Sequence, residues 1–266
     1  MIGAIVGDIV GSIYEWDNIK TKDFNFFDDH AFFTDDTVMT LAVAMALKEC
    51  QGNYENLSQT AIKWMQKLGR KYPDAGYGGN FRAWLNEENP LPYNSWGNGS
   101  AMRVSPVAYF AKSLEEVKDL SYQVSAVSHN HPEGIKGAEA TAAAIYLALQ
   151  GKKKEEIREY TVKNYYPMDF TLDEIRPTYK FKVSCQGSVP QALEAFFEST
   201  DFEDAIRNAI SIGGDSDTIA AITGSIAEAY YGVSDKIREF ALGKLDDNLR
   251  GYLAEIEGAL SCHRVN

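Results

Sequence analysis

The alternation of apolar and polar positions along the chain predicts helices nearly throughout. Residues 2–16 are apolar apart from Asp8, Ser12 and Glu15, and Gly3, Gly7 and Gly11 recur at four-residue spacing. On a helix those glycines fall near one face, where a second main chain can approach closely, and the three polar residues lie near one another. Trp16-Asp17-Asn18 break the pattern, leaving Glu15 to project a carboxylate from the helix end. A second helix is expected from a cap at Thr34 or Asp35 to about Lys48, because Val38, Leu41 and Met45 form a helical stripe with alanines between them. Asn56 caps a third over 56–69. Ser113 with Glu116, Thr171 with Glu174, and Thr200 with Glu203 have capping-box spacing. Gly137 to Gln150 is an alanine-rich helix stopped by Gly151, another starts at Asp215 or Ser216 and ends at Gly232, and a further one covers 234–244. Residues 178–185 alternate as a strand would; with no partner run elsewhere they predict an extended connection. The expectation is an all-α fold, a compact single-domain multi-helix bundle over residues 1–266, with no internal repeat or linker.

Composition narrows the class. A chain of 266 residues with 45% hydrophobic content can bury a full core. The balance of 38 acidic to 26 basic residues, net charge −12, argues against a nucleic-acid binder, which carries a basic stripe. Cys50, Cys185 and Cys262 are few, odd in number and without metal-type spacing, so a reducing compartment is expected. The opening residues lack a basic leader region, and no apolar run approaches a membrane span. The expectation is a cytoplasmic protein, monomeric and away from membranes.

The candidate chemistry lies at two helix starts. Thr34-Asp35-Asp36 opens one long apolar helix and Asp215-Ser216-Asp217-Thr218 opens another. Each alone is an ordinary cap. Brought together they gather four carboxylates, and two unit charges at ~4 Å repel by roughly 4 kcal/mol at an effective dielectric of 20. A helix N-terminus offsets only about 0.3–1 kcal/mol per acid. A cation between them is therefore expected, and oxygen-only ligands select a hard divalent ion such as Mg2+ or Mn2+ over zinc. An EF-hand is excluded, since no twelve-residue loop with a closing glutamate follows. Two glycine-rich loops, 72–80 and 90–100, suit an anion or are simple turns, and Tyr77, Phe81, Tyr93 and Trp96 are a stacking face for a base or ordinary core. Ser128-His129-Asn130-His131 offers histidines for a phosphate or ribose, or plain structural groups.

Taken with Gly7-Asp8-Ile9-Val10-Gly11-Ser12-Ile13-Tyr14-Glu15, Gly76-Tyr77-Gly78-Gly79, Ser95 through Arg103 and Gly213-Gly214, these segments resemble, in order, the motifs of the ADP-ribosylglycohydrolase family, which includes the dinitrogenase reductase-activating glycohydrolases. The resemblance implies an almost wholly helical fold with two Mg2+ or Mn2+ ions at the bottom of a cleft. It implies Thr34, Asp35, Asp36, Asp215, Asp217 and Thr218 as metal ligands, with Glu15 on a metal or its water. Gly76, Gly78, Gly79, Ser95, Trp96, Gly97, Asn98, Gly99, Ser100 and His129 would line an ADP-ribose site. Asp74 matches a carboxylate near the scissile bond in some members. The catalytic set so implied is Glu15, Asp36 and Asp74. The implied activity is hydrolysis of the bond between ADP-ribose and an acceptor, such as an ADP-ribosylated protein. A dinuclear hydrolase of another nucleotide-like substrate and a non-catalytic ADP-ribose-binding module remain open alternatives here.

Overall fold

The computed structural model describes residues 1–263. Among them there are helices and one isolated antiparallel bridge, Gly97 with Ser184, but no strand, so the all-α expectation holds. Helix α1 (Ile2–Gly11) is buried along its whole length and runs into a single 3-10 turn, Ser12–Tyr14. The glycine spacing has the expected consequence, and its partner is α13 (Ser216–Tyr231). A Cβ on Gly3 would stand 2.2 Å from the Gly224 carbonyl oxygen, one on Gly7 2.0 Å from that of Ala220, and one on Gly11 2.5 Å from the Asp217 Cα. The two main chains therefore touch directly.

Helix α2 (Asp35–Glu49) begins where the apolar stripe predicts, with the Thr34 hydroxyl accepting from the Asp36 N–H at 3.3 Å. Nearly all of its residues are buried, as befits a helix that is apolar on every side. It packs between α1 and α3 (Leu57–Lys71) and against α15 (Asp247–His263), a helix the sequence reading leaves unassigned. After α3 come α4 (Gly79–Asn86), α5 (Gly99–Met102) and α6 (Val107–Phe110), three short pieces inside the region expected to be loops and beyond it. Helix α7 (Leu114–Ser125) is capped by Ser113, and α8 (Pro132–Leu149) starts five residues before the expected Gly137, with His131 as its cap. The alanines of α8 let it lie against α5, α7, α13 and the later helix α11 (Cys185–Phe197) at once.

Helices α9 (Lys154–Asn164) and α10 (Leu172–Ile175) follow, the latter behind the expected Thr171–Glu174 capping box. Residues 178–184 form the extended connection, held by the bridge at Ser184 and leading into α11 (Cys185–Phe197). The third expected box is displaced by one residue. Asp201, not Thr200, caps α12 (Phe202–Ser211), because its carboxylate reaches the Asp204 N–H at 2.8 Å, while Asp204 in turn accepts from Thr200. Helix α14 (Asp235–Lys244) follows the positive-φ Gly232 that ends α13. Helix α13 is the centre of the assembly, packed by α1, α8, α11 and α12.

The main-chain contact gives a direct test. Gly7→Ala places a methyl group against backbone that cannot rotate away, and should destabilise the protein by about 1–3 kcal/mol or more. Gly243→Ala, where an added Cβ meets nothing within 4 Å, should stabilise α14 by up to about 1 kcal/mol. Urea denaturation of the two variants checks both signs.

Candidate active site

The contact between α1 and α13 brings acids from three places together. Asp8 projects from α1, Asp36 from the first turn of α2, and Asp217 from the first turn of α13; a carboxylate oxygen of each lies within 4.8 Å of those of the other two. Glu15, Asp215 and Asp217 form a second such group, so Asp217 belongs to both. Asp8, Asp36, Asp215 and Asp217 are buried and Glu15 is half-buried. None of the ion pairs among the described residues involves any of them.

Hydrogen bonds position these acids without neutralising them. Asp8 accepts from the Thr34 N–H at 2.9 Å, the Thr34 hydroxyl at 2.6 Å, the Thr37 N–H at 3.1 Å and the Thr37 hydroxyl, which ties the start of α2 to α1. Thr218 donates its hydroxyl to Asp36 Oδ2 at 3.2 Å, while Asp36 Oδ1 is buried with no hydrogen-bond partner. Asp217 accepts from the Thr218 N–H at 2.8 Å, and Asp215 accepts from the Asn98 side chain at 2.7 Å. Asn18 fastens the other side: its amide donates to the carbonyls of Tyr14, Glu15 and Gly214 and accepts from the Gly214 N–H at 2.7 Å. One side chain thus joins the turn carrying Glu15 to the turn before Asp215.

Burial raises every one of these acids above the ordinary carboxylate range, and neighbouring carboxylates add to it for Glu15, Asp35, Asp36 and Asp217. Desolvation is the largest cause throughout. Glu15 is pushed up to about 7, with Asp215 and then Asp8 adding to burial, and Asp35 to about 8, with Asp8 and Asp215 adding. Asp36 and Asp217 lie well above their usual values for the same reasons. Two overlapping groups of oxygen donors and a buried carboxylate oxygen with no partner, in acids that form no ion pair among the described residues, fit hard divalent cations.

All of these acids but Asp8 line a cavity of about 380 Å3. Of the residues expected at the site, it is lined by Glu15, Asp35, Asp36, Asp215, Asp217 and Thr218, and by Gly76, Gly78, Gly79, Ser95, Gly97, Asn98, Gly99 and His129. Asp35 is in neither carboxylate group; its Oδ1 lies beside Gly76, whose φ of +111° and missing Cβ make room for it. Four expected residues stand elsewhere. Thr34 directs its hydroxyl to Asp8, away from the cavity. The Ser100 hydroxyl donates to the Gly134 carbonyl at 2.7 Å in the core. Trp96 is 52% exposed and sets its ring at a steep angle to that of His131. Asp74 is exposed on the turn before Gly76 and does not line the cavity.

Other lining and supporting residues escape the sequence reading. Asp8 had a legible signal, a lone acid in the middle of an apolar helix. Asn18, Arg103 and Ser128 had none, since their roles depend on long-range contacts. At the mouth, Trp16 and Phe181 stack with ring centroids 5.1 Å apart, so the extended 178–184 segment supplies part of the wall.

Residues 1–264 match the family profile described as ADP-ribosylglycohydrolase. The chain belongs to that family. As an ADP-ribosylglycohydrolase it is an enzyme of glycosidic-bond hydrolysis. It is 28% identical to the ADP-ribosylhydrolase ARH3 of Homo sapiens, over 100% of this chain and 92% of that protein. It is 29% identical to the ADP-ribosylarginine hydrolase Tri1 of Pseudomonas putida (strain GB-1), over 88% of this chain and 70% of the relative. The solved ADP-ribosylglycohydrolase-related protein complex shares its fold, with a TM-score of 0.66 at 23% identity, covering 97% of this chain and 95% of that one. No helix among the described residues of this ADP-ribosylglycohydrolase is long and apolar enough to cross a membrane.

The raised acids set the sign of a pH effect. Between the unfolded value of about 4 and the folded values of Glu15 and Asp35, the folded chain binds more protons than the unfolded one. Their contribution to stability is present at low pH and lost as pH rises through about 7 to 8. The melting temperature of chelator-treated protein should therefore fall between about pH 5 and pH 8, and added Mg2+ or Mn2+ should restore it more at the upper end.

Proposed function

We propose that the chain, as a single domain over residues 1–266 and a monomer, releases ADP-ribose from an ADP-ribosylated acceptor with the help of two divalent cations, Mg2+ or Mn2+. The observation that carries this reading is the pair of carboxylate groups that share Asp217 on the floor of the cavity. Asp8, Asp36 and Asp217 would hold one ion, and Glu15, Asp215 and Asp217 the other, with Asp35 and Thr218 beside them. When bound, such ions neutralise the acids, polarise sugar oxygens and lower the pKa of a water.

The chain's own residues supply the remainder. Cleavage at the anomeric carbon passes through an oxocarbenium-like transition state, flanked in most glycosidases by two carboxyl groups. Glu15 stands half-buried at the cavity's edge, where its carboxylate can orient a water or accept its proton. Asn98 holds Asp215 in place, so the floor keeps its shape while the sugar binds. Gly76, Gly78, Gly79, Gly97 and Gly99 bare the main chain of the two loops to the cavity, which suits the diphosphate of ADP-ribose. Phe81 and Tyr93 add apolar wall. The free thiols of Cys50 and Cys185 support a cytoplasmic setting.

The test is a panel of defined ADP-ribosyl linkages, to arginine, serine, nucleobase and small-molecule acceptors, assayed for free ADP-ribose with Mg2+, Mn2+ or EDTA. One linkage should be cleaved with a divalent ion and not with EDTA. Asp36→Ala and Asp217→Ala should each lower turnover by at least about a hundredfold. Full activity of either variant in EDTA would end the metal-dependent reading.

A further inference from the structure

Arg103 is the largest side chain that is completely buried, with 1% exposure, yet it has no carboxylate partner. Its Nε is buried without a hydrogen-bond partner, and its guanidinium lies over the Phe81 ring at 5.1 Å. An arginine so placed is expensive to bury unless its remaining bond has a purpose. That bond is from Nη2 to the Ser128 hydroxyl oxygen, at 2.8 Å. Ser128 Oγ is in turn 2.8 Å from His129 Nδ1, and has no other side-chain bond among the described residues.

The direction of these bonds follows from the donor inventory. Arginine only donates, so the serine oxygen accepts from it and keeps its own hydrogen free. The acceptor in reach is His129 Nδ1. A neutral imidazole whose Nδ1 accepts carries its proton on Nε2. That atom faces the glycine loop: a Cβ on Gly99 would lie 3.1 Å from it, and one on Gly97 3.4 Å. Burial and the nearby Arg103 cation both hold the imidazole well below its usual pKa, so it is neutral at pH 7. The ring itself is fixed between Phe81 and Tyr93, with centroids 6.3 and 5.9 Å away.

We propose that Arg103 and Ser128 are positioning residues that fix His129 in the tautomer with its proton on Nε2, directed at the Gly97–Gly99 loop as a donor to an oxygen anion of the ligand. The assignment of the ligand rests on the proposed function; the tautomer does not. A histidine so fixed rewards an acceptor oxygen, and Arg103, which also lines the cavity, adds positive potential there. Replacing the serine would leave Nδ1 without its donor and let the proton distribute over both nitrogens.

The experiment is 15N NMR of histidine-labelled full-length protein, with the His129 signals assigned by their loss in His129→Gln. Wild-type protein near pH 7 should show Nε2 protonated and Nδ1 bare. In Ser128→Ala the His129 signals should move toward a mixture of tautomers, and ADP-ribose should bind about tenfold more weakly, as expected for one lost oriented bond. A protonated imidazolium or an Nδ1–H tautomer in the wild type would overturn the inference, and that reading requires no variant to fold. An unchanged tautomer in folded Ser128→Ala would overturn it as well. Wild-type protein with the expected tautomer that binds no ADP-ribose would sink the functional reading and leave the relay intact.

Discussion

Like charges crowded into a low-dielectric floor are the constraint on which the rest of the molecule depends. Asp8, Asp36, Asp215 and Asp217 are all buried, and none is paired with a cationic side chain. Left to themselves they would drive α1, α2 and α13 apart. The packing opposes this with a contact that has no flexible component, main chain against main chain along Gly3, Gly7 and Gly11. The threonines add fixed donors at the helix starts, where the backbone dipoles also favour negative charge. Burial raises the pKa of every acid in the group, and repulsion adds to it for Glu15, Asp36 and Asp217, which makes the floor receptive to cations.

Much of this architecture was legible in the sequence, for identifiable reasons. The glycine spacing in residues 2–11 predicted a close main-chain neighbour, although nothing in a linear pattern could name α13 as that neighbour. The paired acids at 35–36 and 215–217 stood out because one cap residue would have sufficed at each helix. Asp215 and Asp217 do lie together with Glu15, and Asp36 with Asp217. Local signals gave the starts of α2, α7 and α10, whose caps act within a few residues, and that of α13, which has no side-chain cap bond.

What was hidden depended on distance along the chain. Trp96 and Ser100 belong to a motif whose neighbours line the cavity, yet the turn of their loop directs one to solvent and the other to the core. Arg103 reads as an ordinary charge until its burial and its bond to Ser128 are known. The cap of α12 moved from Thr200 to Asp201 because two adjacent residues could both do the task, and the better acceptor took it.

The Asn18 amide has a wider consequence. It exchanges both an N–H and a C=O bond with the single residue Gly214, in the manner of one rung of a β-ladder built from a side chain. Segments 196 residues apart are thereby kept in register by a planar group that resists twisting. A wholly helical scaffold borrows the stiffness of a sheet at one point, next to the two acids whose spacing matters most.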